Sequence, residues 1–93
     1  KIRLTEERRS HVKTSHPELS NQIRKIKETL LEPQQIIRSL SDFAVQLYYR
    51  FYAKTPVGAK YLCVVVKEIG DDYFILTVYF TDAIKRGEVI WKI

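Results

Sequence analysis

Residues 60–81 read KYLCVVVKEIGDDYFILTVYFT, and this stretch decides the fold. Two runs rich in β-branched and aromatic residues, 60–68 and 73–80, flank Gly70-Asp71-Asp72. Val, Ile, Thr, Tyr and Phe suit a pleated, half-buried surface, and Gly-Asp is turn chemistry, so the stretch predicts an antiparallel hairpin. Upstream, residues 44–53 have the same character and reach the hairpin through Thr55-Pro56-Val57-Gly58, a second turn. Three strands of a meander follow. Ile36-Ile37-Arg38-Ser39-Leu40 suits either a short strand or a last helical turn, with strand favoured. Asp82 to Arg86 reads as a short turn or helix closed by Gly87, and residues 88–93 as a terminal strand.

Ahead of the strands the period changes. Leu19, Ile23, Ile26 and Leu30 recur at spacings of four, three and four, which is one face of a helix. His16-Pro17-Glu18 supplies its start signal, since Pro suits the first helical position and Glu the positive end of the dipole. Pro33 ends it by pushing its predecessor out of the helical region. Thr5 followed by Glu6 and Glu7 opens a shorter helix to about Thr14. Helix, helix, then sheet predicts an α+β fold of two layers in a single domain over residues 1–93.

Composition narrows the function classes. A chain of 93 residues supports one core, and 45% apolar with 29% charged residues argues against disorder. The longest apolar run, Tyr61 to Val66, stops at Lys67, far short of the roughly 18 residues of a membrane span. One cysteine cannot form an internal disulfide or a Cys-rich zinc site, and no charged-then-apolar leader pattern appears, so a reducing, cytoplasmic setting is expected. The net charge of +5 suits a polyanionic partner such as RNA.

Strand alternation then sorts the side chains. Val45, Leu47, Tyr49 and Phe51, with Leu62, Val64 and Val66 and with Phe74, Leu76, Val78 and Phe80, form apolar sets expected to face the helices. The other face is then expected to display Tyr48, Arg50, Tyr52, Tyr61, Lys67, Thr77, Tyr79 and Thr81. Rings, cations and hydroxyls on one surface suit single-stranded nucleic acid, because rings stack on bases while cations meet phosphates. Tyr and Thr are also simply good strand formers, so propensity alone accounts for part of this set.

The remaining motifs exclude more than they assign. No carboxylates are clustered for a metal-dependent nuclease, and Asp71-Asp72 is turn chemistry. His11 and His16 lack a third ligand, Cys63 sits between Leu62 and Val64 as a small hydrophobe, and no Gly-rich phosphate loop occurs. No metal or cofactor is expected. RNA cleavage by the substrate's own 2′-hydroxyl needs neither. It needs a group of near-neutral pKa, which His11 supplies, and fixed cations and donors around the phosphate. Arg50, Lys67, Thr77, Tyr79 and Thr81 are the candidates for those, and Arg8 and Arg9 add charge along the first helix. His16 is a helix-cap residue first and a catalytic candidate second; Trp91 reads as a packing anchor.

Several segments together resemble one family. Arg9-Ser10-His11, His16-Pro17-Glu18 and Glu28 to Ile36 open the match; Tyr48-Tyr49-Arg50, Val64-Val65-Val66-Lys67, Leu76 to Thr81 and Ile84 to Glu88 continue it. They look like the phage-type branches of the barnase–EndoU–colicin–RelE-like nuclease superfamily, over about Leu4 to Trp91. The resemblance implies two N-terminal helices packed on one face of a four-stranded antiparallel sheet, with RNA cleaved without metal on the open face. It implies His11 as acid/base, Arg50 and Lys67 as strand cations, and Thr77, Tyr79 and Thr81 as last-strand hydroxyls. Domains of this kind often serve as toxins, which implies an immunity protein or antitoxin as partner. Val78 departs from the pattern, standing where a small residue is expected between Thr77 and Tyr79. The leading expectation is therefore a small metal-independent endoribonuclease. A non-catalytic RNA-binding module and a protein-interaction domain that uses an exposed sheet edge are the alternatives.

Overall fold

The computed structural model describes residues 2–3 and 22–93. In chain order these form β1 (Ile2–Arg3), α1 (Ile23–Leu31), β2 (Gln35–Arg38), β3 (Val45–Tyr52), β4 (Lys60–Ile69), β5 (Asp72–Thr81) and β6 (Glu88–Lys92). The strands lie in the order β1-β5-β4-β3-β2-β6. Every neighbouring pair from β5 to β6 is antiparallel, and the two-residue β1 lies parallel on the outer edge of β5. The α+β expectation holds, with five antiparallel strands where four were expected. Of the two expected helices, the first lies outside the described residues, together with Arg8, Arg9, His11 and His16. The described helix starts at Ile23, with Gln22 before it in non-helical geometry, and the start signal expected at Pro17 lies outside the described residues. It stops at Leu31, ahead of Pro33, as expected.

The central hairpin forms where the sequence placed it. Ile69 pairs with Asp72, and Gly70 takes the first central place of the turn at φ 60°. A two-residue hairpin turn with a positive φ there favours glycine, which lacks the Cβ that penalises this conformation. Helix α1 buries Ile26 and Thr29 against the sheet, with Ile23 and Leu30 beside them, over a core of Leu62, Val64, Val66, Ile75 and Val78.

The phase of β3 differs from expectation. Tyr48 lies opposite Val64, and Arg50 opposite Leu62. Val64 in turn lies opposite Val78, and Leu62 opposite Phe80. Directly opposed residues share a face, so Tyr48, Arg50 and Tyr52 stand on the helix side. Leu47 and Tyr49 stand on the reverse, with Tyr61, Cys63, Lys67, Thr77, Tyr79 and Thr81. The single polar-aromatic surface is thus divided between the two faces. Alternation fixes which residues share a face within one strand, whereas pairing register fixes how the strands line up. Between β4 and β5 the register also shifts: Val65 pairs with Thr77 but Val66 with Ile75. Leu76 is the bulged residue, and Ile75 rather than Phe74 joins the helix-side core.

The reverse face has its own core of Ile37, Leu47, Tyr49 and Cys63, all buried, because residues 82–87 cross over it. The Lys85 backbone N–H donates to the Tyr49 hydroxyl at 3.1 Å, and Ile84 packs on this core. Strands β5 and β6 run parallel with three strands between them, and Thr81 is level with Phe51 but Glu88 with Gln46. This strap must therefore travel ~19 Å across the sheet and ~17 Å back along it. That is roughly 26 Å on a flat sheet, close to the ~25 Å reach of seven peptide links, which leaves no length for a helical turn. A helical turn rises only ~1.5 Å per residue, which is why residues 82–86 form a bend and irregular chain rather than the short helix the sequence allowed.

Candidate nucleic-acid interface

Among the described residues, the helix side carries the one predicted cation that stands beside a groove. Arg50 reaches the end of α1, where Nη1 donates to the Glu32 carbonyl at 2.6 Å and Nε lies 3.7 Å from Glu28 Oε1. A guanidinium has five N–H donors, so these contacts fix its position and leave donors to spare. Its side chain stays 27% exposed. Tyr52 is committed differently: its hydroxyl donates to Glu28 at 2.6 Å and approaches the Lys25 carbonyl at 3.2 Å. Tyr52 therefore ties the helix to the sheet, with the Arg50 guanidinium 5.9 Å from its ring centre.

Next to Arg50 opens a groove of about 730 Å³. Leu30, Leu31, Glu32 and Pro33 line it from the helix end, and Ile36, Tyr48, Arg50, Trp91 and Ile93 from the sheet and C-terminal segment. Trp91 is 45% exposed, a groove residue rather than the packing anchor its sequence position suggested. It arrives there through a bulge. Val89 pairs with Ile37 and Trp91 with Ile36, so Ile90 is left over between them. Regular alternation would put Val89 and Trp91 on one face; the extra residue sends Trp91 to the helix side, in a row with Ile36 and Tyr48. No pattern in the sequence signals that bulge, so Trp91 was out of reach of strand alternation.

The reverse-face candidates do not join Arg50, nor do they all meet one another. Lys67 pairs with Asp42 at 3.3 Å. The Ala44 backbone N–H and then Lys67 hold the Asp42 carboxyl below its ordinary range. Thr81 lies six β4 residues away from Lys67, through its partner Tyr61, or ~20 Å along the sheet. There Thr81 Oγ1 donates to the Ala83 carbonyl and accepts from the Ala83 N–H, shaping the start of the strap. Tyr61 stands edge-on between Tyr49, at 6.4 Å, and Phe51, at 5.3 Å. Thr77 is half-buried opposite Val65. No group of acidic, histidine and cysteine side chains that could hold a metal forms among the described residues.

Tyr49, Cys63 and Tyr79 gather beneath the strap, and their protons are held tightly. Burial pushes the Tyr49 hydroxyl up to about 12, although the Lys85 amide that donates to it pulls the other way. Burial likewise raises the Cys63 thiol to about 11. Tyr79 rises further still, by burial and then by the neighbouring Cys63. At neutral pH all three are protonated, so Tyr79 can donate a hydrogen bond but is no base. The linkage has one sign: the unfolded chain ionises first, from about pH 9 upwards for the thiol and 10 for the phenols. Stability is therefore complete below pH 9 and declines as pH rises through 11 and 12. The urea midpoint should hold from pH 7 to 8.5 and then fall, with Cys63→Ala flattening the first part of the fall. A midpoint unchanged to pH 10.5 would contradict this arrangement.

No family model matches the chain, and no curated protein or solved structure is close enough to it to count as a relative.

Proposed function

We propose that the chain is a small, toxin-like, metal-independent endoribonuclease that holds single-stranded RNA on the helix side of its sheet. The observation that carries this reading is the open groove lined by both Tyr48 and Arg50, with the Arg50 guanidinium fixed by Glu28 and the Glu32 carbonyl. A positioned guanidinium is suited to the charge that builds on phosphate when the 2′-hydroxyl attacks, and the chain's +5 charge favours a polyanion. Proton transfer falls to His11, outside the described residues. Lys67, Thr77, Tyr79 and Thr81 stand on the other face and cannot share a phosphate with Arg50; their roles there are structural. A neutralising immunity protein or antitoxin would act by covering this groove. Among the described residues, no helix is long and apolar enough to cross a membrane.

The division of the candidates between two faces favours a second reading, an RNA-binding module without cleavage. End-labelled RNA incubated with the protein in excess chelator separates the two. The nuclease reading expects products ending in 2′,3′-cyclic phosphate. It also expects a drop of roughly 100-fold or more in Arg50→Lys, which keeps the charge and loses the fork, and loss of cleavage in His11→Ala. Intact RNA that shifts in a gel leaves only the binding module, and intact RNA without a shift removes both.

A further inference from the structure

We infer that Trp91 and Tyr48 form a seat for one unpaired base of a bound RNA, with the bulge at Ile90 as the device that aims Trp91 into it. This rests on the RNA reading above. Trp91, Ile36 and Tyr48 lie in a row across β6, β2 and β3 on one face. Two strand spacings put the outer pair ~10 Å apart, with a smaller side chain between them. A flat base touching a ring on each side needs ~7–8 Å. The row is therefore wide enough for one base above Ile36.

Three further features select the occupant. Trp91 is exposed, on a strand whose residues are all exposed, so it adds little to the core. The bulge spends a residue of pairing to turn that ring towards the groove, and bulges commonly re-aim a side chain next to a binding site. Arg50 stands two residues along β3 from Tyr48 and on the same face, where it can meet the phosphate of a base stacked there. A base inside a duplex has both faces covered by its neighbours, so this seat discriminates against paired RNA.

Trp91 is the chain's only tryptophan, so its emission reports on the groove directly. The probe is a 2′-O-methyl RNA octamer, which cannot be cleaved by its own sugar hydroxyl, as a single strand and as a duplex, in chelator at low salt. Stacking predicts that the single strand quenches the emission and the duplex does not. Trp91→Ala should weaken single-strand binding in a gel shift about 5- to 100-fold, with Trp91→Phe retaining most of it. A thermal melt confirms that both variants fold. Binding with unchanged emission and equal affinity for Trp91→Ala overturns the base seat while the RNA reading stands, as does equal quenching by duplex. Absence of any shift for wild-type protein overturns the RNA reading and the seat with it.

Discussion

Tyr49→Ala is expected to lower stability by about 3–5 kcal/mol, the range for deleting a buried aromatic side chain. Tyr49 is 0% exposed and stands at the centre of the reverse-face core, between Leu47, Ile37 and Cys63 and edge-on to Tyr61. Its hydroxyl also accepts the backbone N–H of Lys85, the bond that holds the strap down. A domain of this length has a total stability of ~5–14 kcal/mol, so the loss is a large fraction of the whole. The melting temperature followed by circular dichroism should fall by roughly 15–30 °C. Tyr49→Phe keeps the ring and removes the acceptor, and should cost only about 1 kcal/mol. If the Ala variant melts within 5 °C of wild type, the reverse face is not a second core. If Phe costs as much as Ala, the strap bond rather than the ring dominates.

Gly87→Ala is expected to cost about 2–3 kcal/mol for a different reason. A Cβ at this position would sit 2.5 Å from the Arg38 carbonyl oxygen and 2.5 Å from Ile37 Cγ2. Neither neighbour can withdraw cheaply: Arg38 is paired with both β3 and β6, and the Ile37 side chain is 2% exposed within the core. The strap is tied down as well, by the bond from the Lys85 N–H to the Tyr49 hydroxyl. Overpacking of this kind costs ~1–3 kcal/mol. Because Gly87 leads directly into β6, the strain should first loosen the pairing of β6 with β2. Trp91 emission should therefore shift to the red in native buffer, before the global transition. Lys85→Ala, whose exposed side chain is removed without touching the strap backbone, should leave both emission and melting temperature near wild type. An unshifted emission and an unchanged melt for Gly87→Ala would mean that the strap has slack.

The strand runs were legible because each announces itself locally. Val64-Val65-Val66 and Phe74 to Phe80 are strand-forming whatever surrounds them, and Gly70-Asp71 can hardly do anything but turn. The end of α1 at Leu31 follows from Pro33, and β6 was visible as Val89-Ile90-Trp91. The described helix starts at Ile23, after a Gln22 with no side-chain cap, and the start signal expected at Pro17 lies outside the described residues. The candidate site fared unevenly. Arg50 and Tyr48 belong to the set of residues that alternation assigns to one nucleic-acid-binding face, and both stand at the groove. Lys67, Thr77, Tyr79 and Thr81 were grouped with them and belong to the opposite face. Trp91, which its terminal position marks as a packing anchor, lines the groove instead.

By itself the sequence determined the strands of the antiparallel meander, the turns between them, and which residues of β3 and of β4 share a face. Those are local properties, read from alternation and from residues whose backbone preferences act within a few positions. Only the tertiary structure decided which face of β3 meets the helix, where the bulges at Leu76 and Ile90 fall, and that residues 82–87 cross the reverse face as a strap. Each of these depends on pairing between residues far apart in the chain. A shift of one residue in that pairing exchanges the two faces while every strand keeps its local pattern.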